Sequence, residues 1–171
     1  SAIGKNWGAK TQLITFDKAY DLSAHDTYGK SVLSFGIYFA DEATLEAHRA
    51  IASGYYVTLG SGSGFNAENG YQFDIAGLFA DCSVGWNTVY LPVGTADNKG
   101  AIDWASVKFL QISWDKAFKE GECEVAFAQF KLISTDETVR SVENDTGITL
   151  GVRSVEEFDK VTLIRSKKNV T

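Results

Sequence analysis

Methionine is absent from this chain of 171 residues, proline occurs once, at Pro92, and cysteine and histidine occur twice each. Each scarcity excludes something. His25, His48, Cys82 and Cys123 offer no zinc-ligand spacing. The two cysteines form either one disulfide or two buried thiols, and no histidine or basic residue flanks them to make a reactive thiolate. No apolar run approaches the roughly 20 residues of a membrane helix. No signal peptide is recognisable, and a start at Ser1 without methionine is expected of a processed or excised segment. Basic residues cluster only at the extreme C-terminus and the formal net charge is −6, so nucleic acid is excluded as a partner. Also missing are a glycine-rich phosphate loop, a His-Glu-x-x-His helix and a Gly-x-Ser-x-Gly elbow.

What is present points to strands. Hydrophobic content of 44% and charged content of 22% are ordinary for a globular chain, whereas the aromatic share, 13%, is high. Sixteen glycines beside a single proline suit many strands joined by tight turns. Period-two alternation recurs in "TQLITF" (11–16), "VLSFGIYFA" (32–40), "YYVTLG" (55–60), "YQFDIAG" (71–77), "NTVYLPV" (87–93), "VKFLQISW" (107–114) and "CEVAFAQFKLI" (123–133). One segment reads as helix, "DEATLEAHRAIA" (41–52), with an acidic first turn. These segments predict an all-β fold, a β-sandwich jelly roll of two antiparallel sheets, over residues 1–135. Residues 136–171 form a more polar extension with strand candidates at 147–152 and 160–165. They either add edge strands to the sandwich or are linker and the start of a following module.

Catalysis by a β-sandwich glycosidase needs two carboxylates about 5 to 9 Å apart across the substrate. The nearest candidates are Glu120, Glu122 and Glu124 in "EGECEV", an acidic cluster expected to be solvated, and the separate Asp74 and Asp103. No catalytic residue is assigned, and the chain is not expected to be an enzyme.

"YDLSAHDTYGKSVLSFGIYFAD" (20–41), "GWNTVYLPVG" (85–94), "GAIDWASVKFLQI" (100–112) and "GECEVAFAQFKLI" (121–133) follow one another in an order that resembles a known group. It is the galactose-binding-like jelly-roll modules of secreted bacterial carbohydrate-active enzymes. The resemblance spans some 120 residues, about 10 to 133, and implies the fold and a non-catalytic sugar-binding role. Two departures stand out. Ala128 replaces an aspartate that helps hold a structural calcium in some relatives, so calcium is in doubt and no cofactor or metal is assigned. Gln111 stands where arginine is frequent.

Pyranose rings present flat C–H faces that stack on aromatic side chains, and hydroxyls that need donors and acceptors at set positions. A pleated sheet supplies both, because every second side chain shares a face. Subtracting the apolar alternation leaves Tyr38, Gln72, Asp74, Tyr90 and Gln129, expected together on one sheet as the ligand face. Tyr56 and Gln111 are expected on the other. Trp114, beside the charged loop "DKAFKEGE", joins the candidates. Trp86 in the "GWN" turn reads as a core plug and Trp104 as half-buried. Trp7 either lines a site or folds onto the sandwich, and the loop "GSGSGFNAENG" (60–70) either displays Phe65 or is a flexible connector.

The expectation is a carbohydrate-binding module of a secreted, extracellular bacterial enzyme that degrades plant cell walls. It would bind a β-glucan or hemicellulose chain and target a catalytic domain in the same polypeptide. The alternatives are an adhesion or scaffold domain that binds protein at a bacterial surface, and a small jelly-roll glycanase or lyase.

Overall fold

The computed structural model describes residues 6–7, 10–23, 30–62, 68–116, 118–119, 124–135, 152–158 and 162–165. In chain order the strands are β1 (Asn6–Trp7), β2 (Lys10–Tyr20), β3 (Ser31–Phe39), β4 (Tyr55–Ser61), β5 (Gly70–Asp74), β6 (Gly85–Pro92), β7 (Asn98–Lys99), β8 (Val107–Trp114), β9 (Phe118–Lys119), β10 (Val125–Thr135), β11 (Val152–Glu157) and β12 (Thr162–Arg165). Among the described residues one α-helix, α1 (Glu42–Arg49), crosses between β3 and β4. No helix is long and apolar enough to cross a membrane among the described residues.

The strands form two antiparallel sheets that make a β-sandwich, and β1 pairs separately with β9. In the first sheet the order runs β10, β3, β6, with β11 and β12 both on β10. Since β3 occupies one edge of β10, the two late strands share the other: β12 opposite Val125–Ala128 and β11 opposite Lys131–Thr135. The second sheet runs β2, β8, β4, β5, β7.

Alternation decides what faces inward. Leu33, Phe35, Ile37 and Phe39 on β3 meet Val57 and Leu59 on β4 and Leu110 and Ile112 on β8, all essentially without solvent contact. β10 needs a bulge to contribute fully. Ala128 opposes Gly36 and Lys131 opposes Ser34, so two residues, Gln129 and Phe130, face one. The extra residue shifts the parity, and both Phe127 and Phe130 reach the core. Phe130 stacks on Phe35 at 4.9 Å. Gln129 takes the strain of the bulge with φ 55.

Helix α1 starts where Asp41 accepts a hydrogen bond from the Thr44 N–H at 2.8 Å. It buries Thr44, Leu45 and His48. The imidazole of His48 lies in an aromatic cage, stacked on Phe118 at 4.5 Å and edge-on to Phe39 and Phe79. After β11 the chain passes Phe158, which is 3% exposed, stacks on Phe16 at 5.5 Å and meets Tyr20 edge-on.

Three expectations change here. β5 follows β4 as its antiparallel neighbour, so Gln72 and Asp74 lie in the second sheet with Tyr56 and Gln111, apart from Tyr38, Tyr90 and Gln129. The strand expected over 71–77 stops at Asp74, because a 3-10 turn begins at Ala76. Cys82 is a free, buried thiol, which removes the disulfide alternative; Cys123 lies outside the described residues.

Candidate functional site

The outer face of the first sheet is written by cross-strand register. Tyr38 opposes Trp86, Gly36 opposes Thr88 and Ser34 opposes Tyr90. On the other flank of β3, Ala126, Ala128 and Lys131 oppose Tyr38, Gly36 and Ser34. The middle of the face is therefore floored by Gly36, Ser34, Ala126 and Ala128, with Tyr38, Trp86 and Tyr90 standing along the β6 side and Lys131 beyond.

Trp86 is 58% exposed. Its indole lies 5.3 Å from the ring of Tyr38 at an interplanar angle of 51°. A Cβ placed on Gly36 would come within 3.2 Å of both Cε3 and Cζ3 of the indole. The ring thus rests on the backbone of β3, in space that any larger residue at position 36 would contest. Leaving a large apolar side chain in water forgoes roughly 1.5 to 3 kcal/mol of burial. With Val84, Trp86 is one of the two large hydrophobic residues exposed among those described. An indole that is more than half exposed, seated over a glycine and braced by a tyrosine leaves aromatic surface on which a flat ring can stack. Comparison with known protein families, curated proteins and solved structures finds no match.

Trp86 does not plug the core, and its own strand says why. Thr88 and Tyr90 alternate outward against Val89 and Leu91, and residue 86 has the same parity as 88 and 90. The signal was in the alternation, and the aromatic identity of the residue masked it. Tyr38 and Tyr90 are half-buried on the same face. Gln129 is exposed at the bulge on β10.

The other candidates fall elsewhere. Trp114 is 1% exposed and stacks on Tyr55 at 5.7 Å, because residues 110, 112 and 114 of β8 all face inward. It offers no face to a ligand. Asp74 lies at the end of β5, and its carboxylate is committed to the backbone. It accepts from the N–H groups of Gly54 at 2.8 Å, Tyr55 at 3.3 Å and Ala76 at 3.1 Å. Its own N–H donates to Asp97 at 2.6 Å. That role ties two loops together and leaves little capacity for a sugar hydroxyl.

Tyr56, Gln72 and Gln111 share the outer face of the second sheet with Thr58. Burial, followed by the nearby carboxylates of Asp74, Asp115 and Asp97, raises the Tyr56 phenol above its usual range. It stays a neutral hydrogen-bond donor. Of the remaining aromatics, Trp104 is half-buried against Tyr71. Phe65 and the side chain of Trp7 lie outside the described residues, as do Glu120 and Glu122.

Asp103 caps a 3-10 turn by accepting from the Ala105 N–H at 3.0 Å. Among the described residues no three His, Cys, Asp or Glu side chains converge as metal ligands. At position 128, where the resemblance would place a calcium ligand, a buried alanine supplies no side-chain oxygen.

Proposed function

We propose that this protein is a non-catalytic module that binds a neutral plant cell-wall polysaccharide, a β-glucan or hemicellulose chain, on the outer face of its first sheet. The observation that supports the reading is the exposed Trp86 ring, seated over Gly36 and braced by Tyr38. A pyranose ring stacks on the indole, and Thr88, Tyr90, Gln129 and Lys131 offer polar groups to its hydroxyls. Successive side chains on one face of β6 are spaced by about 6.8 Å. The strip from Trp86 to Tyr90 thus reaches about 14 Å, enough for a few sugar rings in a row. The net charge of −6 favours neutral chains over polyanionic ones. Such a module, secreted by a bacterium and joined to a glycanase, holds the catalytic domain against its substrate.

Electrophoresis through gels containing soluble β-glucan, xylan or glucomannan tests the reading. The wild type is retarded by at least one of them, and the Trp86→Ala variant migrates as in a plain gel. Equal retardation of both proteins removes the platform from the site. The exposed Val84 beside Trp86 favours a second reading, protein adhesion. That reading gains if no polysaccharide retards the wild type.

A further inference from the structure

Trp86 is the second residue of β6, and the turn before it is held by side chains rather than by its own backbone. Ser83 and Val84 are exposed, and neither makes a backbone–backbone hydrogen bond among the described residues. Gly85 follows with φ 94, in the left-handed region that glycine enters freely. Nothing in such a backbone fixes the direction in which the next residue leaves it.

Asn87 supplies what the backbone lacks. Its Oδ1 accepts from the Ser83 N–H at 2.9 Å and from the Ser83 hydroxyl at 3.4 Å. Its Nδ2 donates to the Ser83 carbonyl at 2.7 Å and to the Gly85 carbonyl at 3.1 Å. One amide thus satisfies both backbone groups of Ser83, as a neighbouring strand would, and holds the peptide unit that joins Gly85 to Trp86. Upstream, Arg49 on α1 donates to the Cys82 carbonyl at 2.6 Å and the Phe79 carbonyl at 3.3 Å. Glu46 at 2.6 Å and Glu42 at 3.5 Å hold the same guanidinium. The turn is therefore pinned at 82 by the helix and at 83 and 85 by Asn87.

The position of Asn87 carries a second indication. It opposes Ile37 and has the parity of Val89 and Leu91, which face the core. An amide stands where the alternation calls for an apolar side chain, and such local departures gather at functional places.

We infer that Asn87 is a positioning residue of the platform: by clamping Ser83 and Gly85 it holds the Trp86 indole over Gly36 before any ligand arrives. Its effect on binding rests on the reading of Trp86 as the sugar-stacking surface, whereas its effect on the ring does not. A ring fixed in advance spares the ligand the cost of ordering it, about 2- to 10-fold in affinity for one side chain.

Asn87→Ala and Asn87→Thr both delete the amide, and threonine keeps a strand-favouring side chain where alanine would weaken the fold. In the ligand-free wild type, nuclear Overhauser cross-peaks connect the indole protons on Cε3 and Cζ3 with the α protons of Gly36, which they overlie. In the variants these weaken, while those between the stacked rings of Trp114 and Tyr55 keep their intensity. Calorimetric titration with a polysaccharide that retards the wild type in gels then gives an affinity lower by about 2- to 10-fold. Three results overturn the inference. One is undiminished indole–Gly36 cross-peaks in both variants. Another is weakened cross-peaks with wild-type affinity. The third is loss of the Trp114–Tyr55 cross-peaks in both variants, which makes Asn87 a support of the whole fold. If no polysaccharide binds the wild type, the sugar reading fails, and the cross-peaks alone decide whether Asn87 places the ring.

Discussion

Gly36→Ala separates the stacking platform from the stability of the sheet that holds it. Position 36 lies mid-strand with no positive φ, so alanine meets no backbone strain. Replacing glycine in a strand by alanine favours folding by about 0.5 to 1 kcal/mol. The new methyl group meets Cε3 and Cζ3 of Trp86 at 3.2 Å and the Ala128 carbonyl oxygen at 3.7 Å. Carbon atoms prefer about 3.5 to 4.0 Å, so the indole must lift by a few tenths of an ångström, and an exposed ring can do so.

A ligand ring stacked on the indole then loses part of its fit. A sugar held by polar groups on the neighbouring strands cannot follow the lifted ring, and a mismatch of up to about 0.5 Å forfeits about a quarter of a dispersion contact. If the whole stacking contact contributes about 1 to 2 kcal/mol, the loss is roughly 0.3 to 0.5 kcal/mol, or 1.5- to 2.5-fold in affinity. Trp86→Ala removes the contact and costs about 5- to 30-fold. Calorimetric titration gives the affinities, and urea unfolding gives the stabilities. The expected pattern is a midpoint equal to or above wild type for Gly36→Ala, with weaker binding. A lower midpoint with an unchanged urea slope, or undiminished affinity in both variants, refutes the reasoning.

Asp74→Ala leaves three loop N–H groups without their acceptor and should lower unfolding free energy by about 2 to 4 kcal/mol in urea, while binding at the Trp86 platform persists. Phe158→Ala should cost about 3 to 5 kcal/mol by the same measurement, since its ring is sealed between Phe16, Tyr20 and the core. Burial, then Asp81, pushes the Cys82 thiol up to about 11 against a partial offset from Arg49. The thiol should resist iodoacetamide at pH 8 until the protein is unfolded, as read by mass spectrometry of the peptide containing residue 82. Its folded-state value is raised, so its share of stability is present below about pH 9, the usual thiol value, and is lost as pH rises through about 11. Wild type should therefore lose stability relative to Cys82→Ala across that window.

The sandwich was legible because its strands alternate cleanly. Leu33 to Phe39 and Val89 to Leu91 name their inner faces without help from tertiary contacts. Sheet membership was not legible. Alternation says which residues share a face of one strand, but not which strand lies beside it, and nothing in it separates the sheet of Gln72 from that of Tyr38. The bulge at Gln129 is hidden as well, because Ala126, Ala128, Phe130 and Leu132 read as one unbroken apolar face, and the pairing with Gly36 and Ser34 is what reveals the extra residue that brings Phe127 and Phe130 to the same side. For the platform, the missing element was Gly36. A glycine in a strand looks like a weak point until the ring above it is seen.

Strand β6 is the outermost strand of the first sheet among the described residues. Its outer rim of backbone donors and acceptors is a template on which another molecule's strand could be added. Pro92, the chain's single proline, closes one end of that rim and has no N–H to lend. Along the rest, the net charge of −6 opposes the close approach of a second copy. Acid that neutralises the carboxylates, or salt that screens them, weakens this protection while the fold is still intact. Colloidal behaviour then becomes a matter of pH and ionic strength rather than of unfolding. Clouding should begin with a native circular-dichroism spectrum, through molecules joining rim to rim.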